Sequence, residues 1–382
     1  MILIHIFVTD TRQKERIESI KRIDEEGNLY YMNYTADYNK SLVGAFSKFL
    51  NIASKSSCTS FLTSDIDTKE IINARNFDTT HLNDDNELET MALIIELNPE
   101  NAYRSLNVFD VLYYWNIGIK YHPGNLDDGI FDNSILAVAP WICMDGINEK
   151  GLSVSIMTVD VLDGEKPTHQ KIKGKEDCVC TVLLRKILDN CANCDEAIEV
   201  AKNVNMRNIT GTDFHLLVCD KNGRSIALEW RYNKLYVTET DCVTNFYVSF
   251  DDAKDCYYDD GTYFQEAFKG KADVSYTYHY GYGHGYKRFN TVVKKLDEGI
   301  ISDFSCKTRT ALKNDDIVKI LQDVKQYYEN GYDSHTQYSG LYNNTNNSLT
   351  VFPNQNYSKG YDFKKTQFLR LSGNSITSSK RT

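Results

Sequence analysis

Residues 213–239 read DFHLLVCD-KNG-RSIALEW-RYN-KLYVTE, three apolar-rich runs separated by two tight-turn stretches. Links this short join only antiparallel neighbours, because a parallel pair needs a crossover of a dozen or more residues. The stretch predicts a three-stranded meander and commits the chain to an antiparallel sheet. The same logic applies at 58–77, where CTSFLTS and EIINARNF flank the turn-like DIDTK. MALIIEL, SILAVAP, LSVSIMTV and CVTNFYVSF are further strand candidates. Helical spacing appears in CVCTVLLRKILDN, DEAIEVAKNV, KRFNTVVKKLDEG and NDDIVKILQDVKQYYENG, the last two ending at glycine. The tail from TQYSGLYNN to FLRLSG is strand-like again. Strands and helices thus come in segregated blocks, which predicts a layered α+β fold of antiparallel sheets covered by helices.

Residues 1–57 differ in texture: TRQKERIESIKRI and KSLVGAFSKFLNIA are helix-like, and NLYYMNY between them is strand-like. Residues 58–382 read as one domain. No apolar run approaches the ~18 residues of a membrane span. The start MILIHIFVTD lacks a basic region and a small-residue cleavage site, so it reads as a strand, and cytoplasmic location is the default expectation, with an extracytoplasmic one if the true start lies elsewhere. A net charge of -10 argues against a nucleic-acid partner, which wants a basic face, and suits a small-molecule ligand.

The ten cysteines are scattered over a long chain, unlike a disulfide scaffold. Cys178, Cys180, Cys191 and Cys194 have the spacing of a zinc set, but both pairs fall in or beside an amphipathic helical hairpin, which accounts for them as core thiols. No metal or other cofactor is expected. Gly281, Gly283 and Gly285 imitate a phosphate loop without its strand-loop-helix context. That stretch reads as an aromatic pocket loop feeding a helix near Lys287-Arg288. His215 alternates with apolar neighbours and reads as structural.

Cys58 is either a buried strand-start thiol or a nucleophile. A nucleophilic thiol needs its pKa lowered from about 8.5, and a guanidinium does this. In a 58–77 hairpin, antiparallel pairing returns Arg75 to the side of Cys58, with Asp78 just beyond as an acceptor for a neighbouring amine. One thiol, one cation and one carboxylate then converge without a histidine.

At this point the sequence resembles the choloylglycine hydrolase, or linear amide C–N hydrolase, family of bile salt hydrolases and penicillin V acylases. The marks, in order, are CTSF…ARNFD, MDGINEKGLSVS at 144–155, HLLVCDKNGRSIALE at 215–229, VTNF at 243–246, KRFN at 287–290 and HTQYSG at 335–340. The resemblance implies an N-terminal nucleophile (Ntn) hydrolase with a four-layer αββα sandwich, two antiparallel sheets between helical layers. It implies that Cys58 is nucleophile and, as mature N-terminus, carries its own base in the α-amine. Arg75 would stabilise the thiolate, Asp78 hold the amine, Asn245 donate to the oxyanion and Arg288 complete the polar cluster. Thr158 stands where the family has an asparagine or tyrosine of the oxyanion hole, a departure from either named substrate class. The Asn148-Glu149-Gly151 run reads as a structural turn.

The expected activity is hydrolysis of linear N-acyl amides through a thioester on Cys58. The apolar acyl part would be held by residues such as Phe77, Trp115 and Tyr282. The alternatives are an acyltransferase on the same acyl-enzyme and an unprocessed ligand-binding protein on the same scaffold. Residues 1–57 would be a leader, removed by attack of Cys58 on the Ser57 carbonyl, with the 40–53 helix occluding the pocket until then. A homodimer or homotetramer is what the resemblance implies for assembly.

Overall fold

The computed structural model describes residues 20–34, 57–83, 85–112, 126–127, 136, 139–160, 167–208, 212–231, 233–249, 283–299, 310–328 and 334–364. Two sheets dominate. Across the first lie β1 (Lys21–Arg22), β2 (Leu29–Tyr34), β5 (Ala92–Leu97), β6 (Ser105–Asp110), β7 (Asp145–Asn148), β8 (Ser153–Asp160), β11 (Thr212–Cys219), β12 (Ser225–Arg231) and β13 (Lys234–Glu239). Across the second lie β14 (Cys242–Val243), β3 (Ser57–Asp65), β4 (Ile71–Thr79), β16 (His335–Asn343), β17 (Ser348–Pro353) and β18 (Tyr361–Phe363), with β15 (Ala311–Leu312) also pairing β3. A small parallel pair, β9 (Glu176–Cys178) and β10 (Val204–Met206), stands apart. Within the two large sheets every pairing is antiparallel except β2 with β5 and β15 with β3.

The hairpins form where turn chemistry allows. Between β3 and β4, Asp65 Oδ1 accepts the Asp67 and Thr68 N–H groups at 2.9 and 2.7 Å, and Lys69 takes φ 62°. This is an Asx-type turn, in which the side chain substitutes for a backbone acceptor. Between β11 and β12 the Asp220 carboxylate takes the Asn222 N–H at 2.8 Å and Gly223 has φ 78°.

Helices α1 (Cys180–Asn190) and α2 (Cys194–Lys202) cover the outer face of the first sheet; α3 (Gly283–Asp297) and α4 (Asn314–Asp323) cover the second. The order is helices, sheet, sheet, helices, the four-layer sandwich that the family resemblance implies. Every residue of β4 and β5 is buried, as strands covered on both faces should be. Part of the contact between the facing sheets is polar: Ser60 Oγ donates to Ser155 Oγ at 3.3 Å and Asn73 Nδ2 to Ser153 Oγ at 3.1 Å. Among the described residues, no helix is long and apolar enough to cross a membrane.

Several boundaries differ from the sequence reading. Cys178 lies in β9, so α1 starts at Cys180. Helix α2 starts at Cys194, one residue ahead of the expected DEAIEVAKNV, because Asn193 supplies the side-chain acceptor of the N-cap: Asn193 Oδ1 takes the Glu196 N–H at 3.0 Å, and Glu196 Oε2 takes the Ala192 N–H at 2.7 Å. Helix α3 begins at Gly283, four residues ahead of Lys287, and so absorbs part of the glycine-rich stretch. Helix α4 stops at Asp323, well short of Gly331. The described part of SILAVAP is helical turn, not strand, and of the described part of CVTNFYVSF only Cys242–Val243 is strand. Of the helix-like TRQKERIESIKRI at 11–23, the described end is not helical, since Lys21–Arg22 form β1 paired with β2, while its residues 11–19 and the stretch at 40–53 lie outside the described residues.

Candidate active site

The register of β3 on β4 sets the first contacts. Cys58 pairs with Phe77 and Ser60 with Arg75, which puts Arg75 on the diagonal from Cys58. Alternation sends Cys58, Ser60, Asn73, Arg75 and Phe77 toward the opposing sheet, and Thr59, Asn76 and Asp78 toward the helices. Arg75 Nη2 lies 3.6 Å from Cys58 Sγ and donates to the Ile156 carbonyl at 2.8 Å. Both residues have no exposed surface.

A guanidinium without solvent needs a counter-charge, and Asp145 supplies it, with Oδ2 2.5 Å from Arg75 Nε. Tyr338 Oη donates to the same carboxylate at 2.7 Å, and Tyr342 Oη donates to its other oxygen. The arrangement follows from β16. Gly340 lies opposite Arg75 in register, and Tyr338 and Tyr342 flank it on the same face. Sequence reasoning missed Asp145, treating the surrounding run as a turn. The turn itself is as read: Asn148 Oδ1 takes the Lys150 and Leu152 N–H groups at 3.0 and 3.1 Å. A Cβ on Gly151, at φ +82°, would lie 2.2 Å from the Asn344 carbonyl oxygen.

The remaining side chains come from other layers. Ser57 and Cys58 are joined, so the Cys58 nitrogen is an amide, and it donates to Asn245 Oδ1 at 2.7 Å. Arg288, on α3, donates from Nη1 to the Cys58 carbonyl and Thr59 hydroxyl, both at 2.5 Å, and from Nη2 to Asn245 Oδ1 at 2.8 Å. These donors fix the amide orientation of Asn245: only its oxygen satisfies them. Its nitrogen donates to the Thr158 carbonyl at 2.8 Å and hydroxyl at 3.2 Å. Asp78 accepts from Thr336 Oγ1 at 2.6 Å and Gln326 Nε2 at 2.8 Å, with Arg288 Nη1 3.8 Å away.

A second buried pair holds the Asn245 segment. His215 and Glu229 are cross-strand partners, with Nδ1 2.7 Å from Glu229 Oε1. His215 Nε2 lies 2.8 Å from the Thr244 carbonyl, while Glu229 accepts the Val248 and Ser249 N–H groups at 2.9 and 2.7 Å. Despite burial, the His215 contact and these backbone donors keep Glu229 below the usual carboxylate range. The chain on both sides of Asn245 is thereby pinned. His215 is structural, as its apolar flanks predict, but what it holds could not be read from β11 alone.

Burial pushes the Cys58 thiol up, and the nearby Asp78 charge adds to this; Arg75 and Arg288 pull the other way. The lowering expected of Arg75 is present but outweighed in the uncut chain. Burial likewise raises Asp78, against Arg288 and its two side-chain donors.

Cys58, Arg75, Asp78, Thr158, Asn245 and Arg288 therefore meet in one buried cluster. Phe77 is beside it, fully buried and stacked on Tyr338 with centroids 5.1 Å apart. Trp115 and Tyr282 lie outside the described residues.

A four-layer sandwich with this cluster at the start of a central strand has the architecture of an Ntn hydrolase. The family model described as "Linear amide C-N hydrolases, choloylglycine hydrolase family" matches residues 58–248, and the chain belongs to that family. The fold is shared with a variant of the conjugated bile acid hydrolase from Clostridium perfringens, at 18% identity and TM-score 0.51, over 85% of this chain and 97% of that one. The penicillin V acylase from Agrobacterium tumefaciens aligns at 14% identity and TM-score 0.47, over 81% of this chain and 87% of that one. No curated protein sequence matches the chain. Family and fold together make this a linear amide C–N hydrolase of the Ntn type.

Proposed function

We propose that the chain is an autoprocessed cysteine amidase that cleaves N-acyl amides through a thioester on Cys58. The observation that carries this is the convergence on Cys58: Arg75 3.6 Å from Sγ, Asn245 on its N–H and Arg288 on its carbonyl. The family match beginning at Cys58 supports the same reading.

Processing comes first. Cys58 Sγ attacks the Ser57 carbonyl carbon; the S–C bond forms, the C–N bond breaks, and the thiol proton passes to the departing nitrogen. Water hydrolyses the resulting thioester, which releases the Ser57 carboxylate and restores the thiol. The freed α-amine, with an ordinary pKa near 8, is then a base on the nucleophile's own residue. In turnover it takes the Sγ proton as sulfur attacks the substrate acyl carbon, and returns it to the leaving amine. Water then hydrolyses the acyl-enzyme. The developing oxyanion is met by Asn245 Nδ2 and the Thr158 hydroxyl. A full negative charge draws Asn245 Nδ2 more strongly than the neutral Thr158 oxygens it now serves. Asp78 orients the α-amine, Arg75 favours the thiolate, and Phe77 borders the acyl part.

Denaturing mass spectrometry of purified protein tests the reading. The expected species is residues 58–382, with Cys58→Ala remaining at full length and inactive. A wild-type chain that stays whole through extended incubation across pH and reductant would falsify it. Conjugated bile acids, penicillin V and N-acyl amino acids form the substrate panel.

A further inference from the structure

Strand β2 belongs to the 57-residue segment that processing would sever, yet it is built into the first sheet. It pairs parallel with β5 over six consecutive partners, Leu29 with Ala92 through Tyr34 with Leu97. The ladder extends past both ends, where Ala92 N–H donates to the Asn28 carbonyl at 2.8 Å and Asn98 N–H to the Tyr34 carbonyl at 3.3 Å. Leu29, Tyr30 and Met32 have no exposed surface and Tyr34 has 2%, and all four belong to the main hydrophobic core. Tyr31 Oη donates to Glu96 on β5, while its ring stacks on Phe363 of the second sheet at 5.9 Å. Beyond β2, Arg22 pairs with Asp127 at 2.8 Å.

The hairpin is also self-supporting. Asp24 accepts the Asn28 and Leu29 N–H groups at 3.1 and 2.8 Å, Ile23 N–H donates to the Leu29 carbonyl at 2.9 Å, and Gly27 has φ 81°. Removing β2 would bare the β5 edge, a row of unpaired backbone donors and acceptors beside apolar side chains. Cutting the bond between Ser57 and Cys58 removes none of these contacts.

We infer, resting on the cleavage reading above, that the severed N-terminal segment stays bound as a strand-donating second chain, so that the active form is a non-covalent complex of residues 1–57 and 58–382. Recognition is by strand addition: backbone pairing along β5 with alternate side chains of β2 set into the core. The cut thus frees the Cys58 amine without dismantling the sheet.

The test compares denaturing with native mass spectrometry on the full chain as purified. The expected result is two masses on denaturation and one native mass equal to their sum. A native mass of 58–382 alone overturns the inference while leaving the cleavage reading intact. A single full-length mass on denaturation overturns the cleavage reading and the two-chain form with it. Hydrogen exchange on the Cys58→Ala chain then separately decides the strand: Leu29–Tyr34 amides protected like Ala92–Leu97 support a permanent β2, and exchange at the rate of an unstructured tail refutes it.

Discussion

Replacing Asp145 by Asn removes the carboxylate that pairs with Arg75 while conserving volume. Both side chains are without exposed surface. The carboxylate forms an ion pair with Arg75 Nε at 2.5 Å and accepts from Tyr338 Oη at 2.7 Å and from Tyr342 Oη. An amide offers one acceptor oxygen in place of two and turns two N–H donors toward groups that are themselves donors. Breaking one side of a buried pair costs about 3–5 kcal/mol, because the remaining charge is left without compensation. Tyr342→Phe removes one hydrogen bond to a charged acceptor and costs about 1.5–3 kcal/mol. Urea unfolding of the Cys58→Ala chain, which keeps every sample uncut, gives both values against one reference. The expected order is Asp145→Asn well above Tyr342→Phe. The double replacement Arg75→Met/Asp145→Leu should recover much of the loss, since neither charge remains to be compensated. An Asp145→Asn cost below about 0.5 kcal/mol, the range of an ordinary surface change, would refute the reasoning. In the otherwise wild-type chain, the same Asp145→Asn change should slow release of the leader, because Arg75 loses the partner that aims it at Cys58.

Stability should fall as pH rises past about 8.5, the ordinary thiol pKa. Burial holds the Cys143 and Cys180 thiols up to about 12, so between those values the folded chain binds more protons than the unfolded one and ΔG of unfolding declines with pH; urea midpoints constant from pH 7.5 to 10.5 would contradict this. Gly151→Ala should cost more than about 2 kcal/mol by thermal or urea unfolding, because φ +82° strains any side chain and the Cβ would lie 2.2 Å from a carbonyl oxygen. Asn245→Ala should lower kcat of the processed enzyme by about 10²–10³, the usual loss for one oxyanion donor, with KM little changed. His215→Ala should slow leader cleavage more than its effect on unfolding accounts for, since it frees the Thr244 carbonyl next to Asn245.

The strand-turn-strand units were legible because their causes are local. Asp65, Lys69 and Gly223 shape their turns within a few residues, and alternation marks the faces of β3 and β4. The meander and the hairpin at Cys58 therefore emerge near their expected bounds, and the diagonal between Cys58 and Arg75 follows from the pairing. Helix ends were less legible. Cap chemistry moved the start of α2 to the residue after Asn193, and no glycine was needed to stop α4 at Asp323.

By itself the sequence determined the hairpin at Cys58, the meander, most of the helices, the layered α+β class, and the order in which Cys58, Arg75, Asp78, Asn245 and Arg288 appear. Resemblance, rather than spacing, joined the last two to the first three. Only the tertiary structure decided what holds them. Asp145 reaches Arg75 across the gap between sheets, His215 and Glu229 pin the Asn245 segment from two neighbouring strands, and β2 enters the sheet beside β5 from a segment with a texture of its own. These contacts join residues far apart in the chain. Pairing between distant strands and charges depends on register and layer geometry, which no local propensity carries.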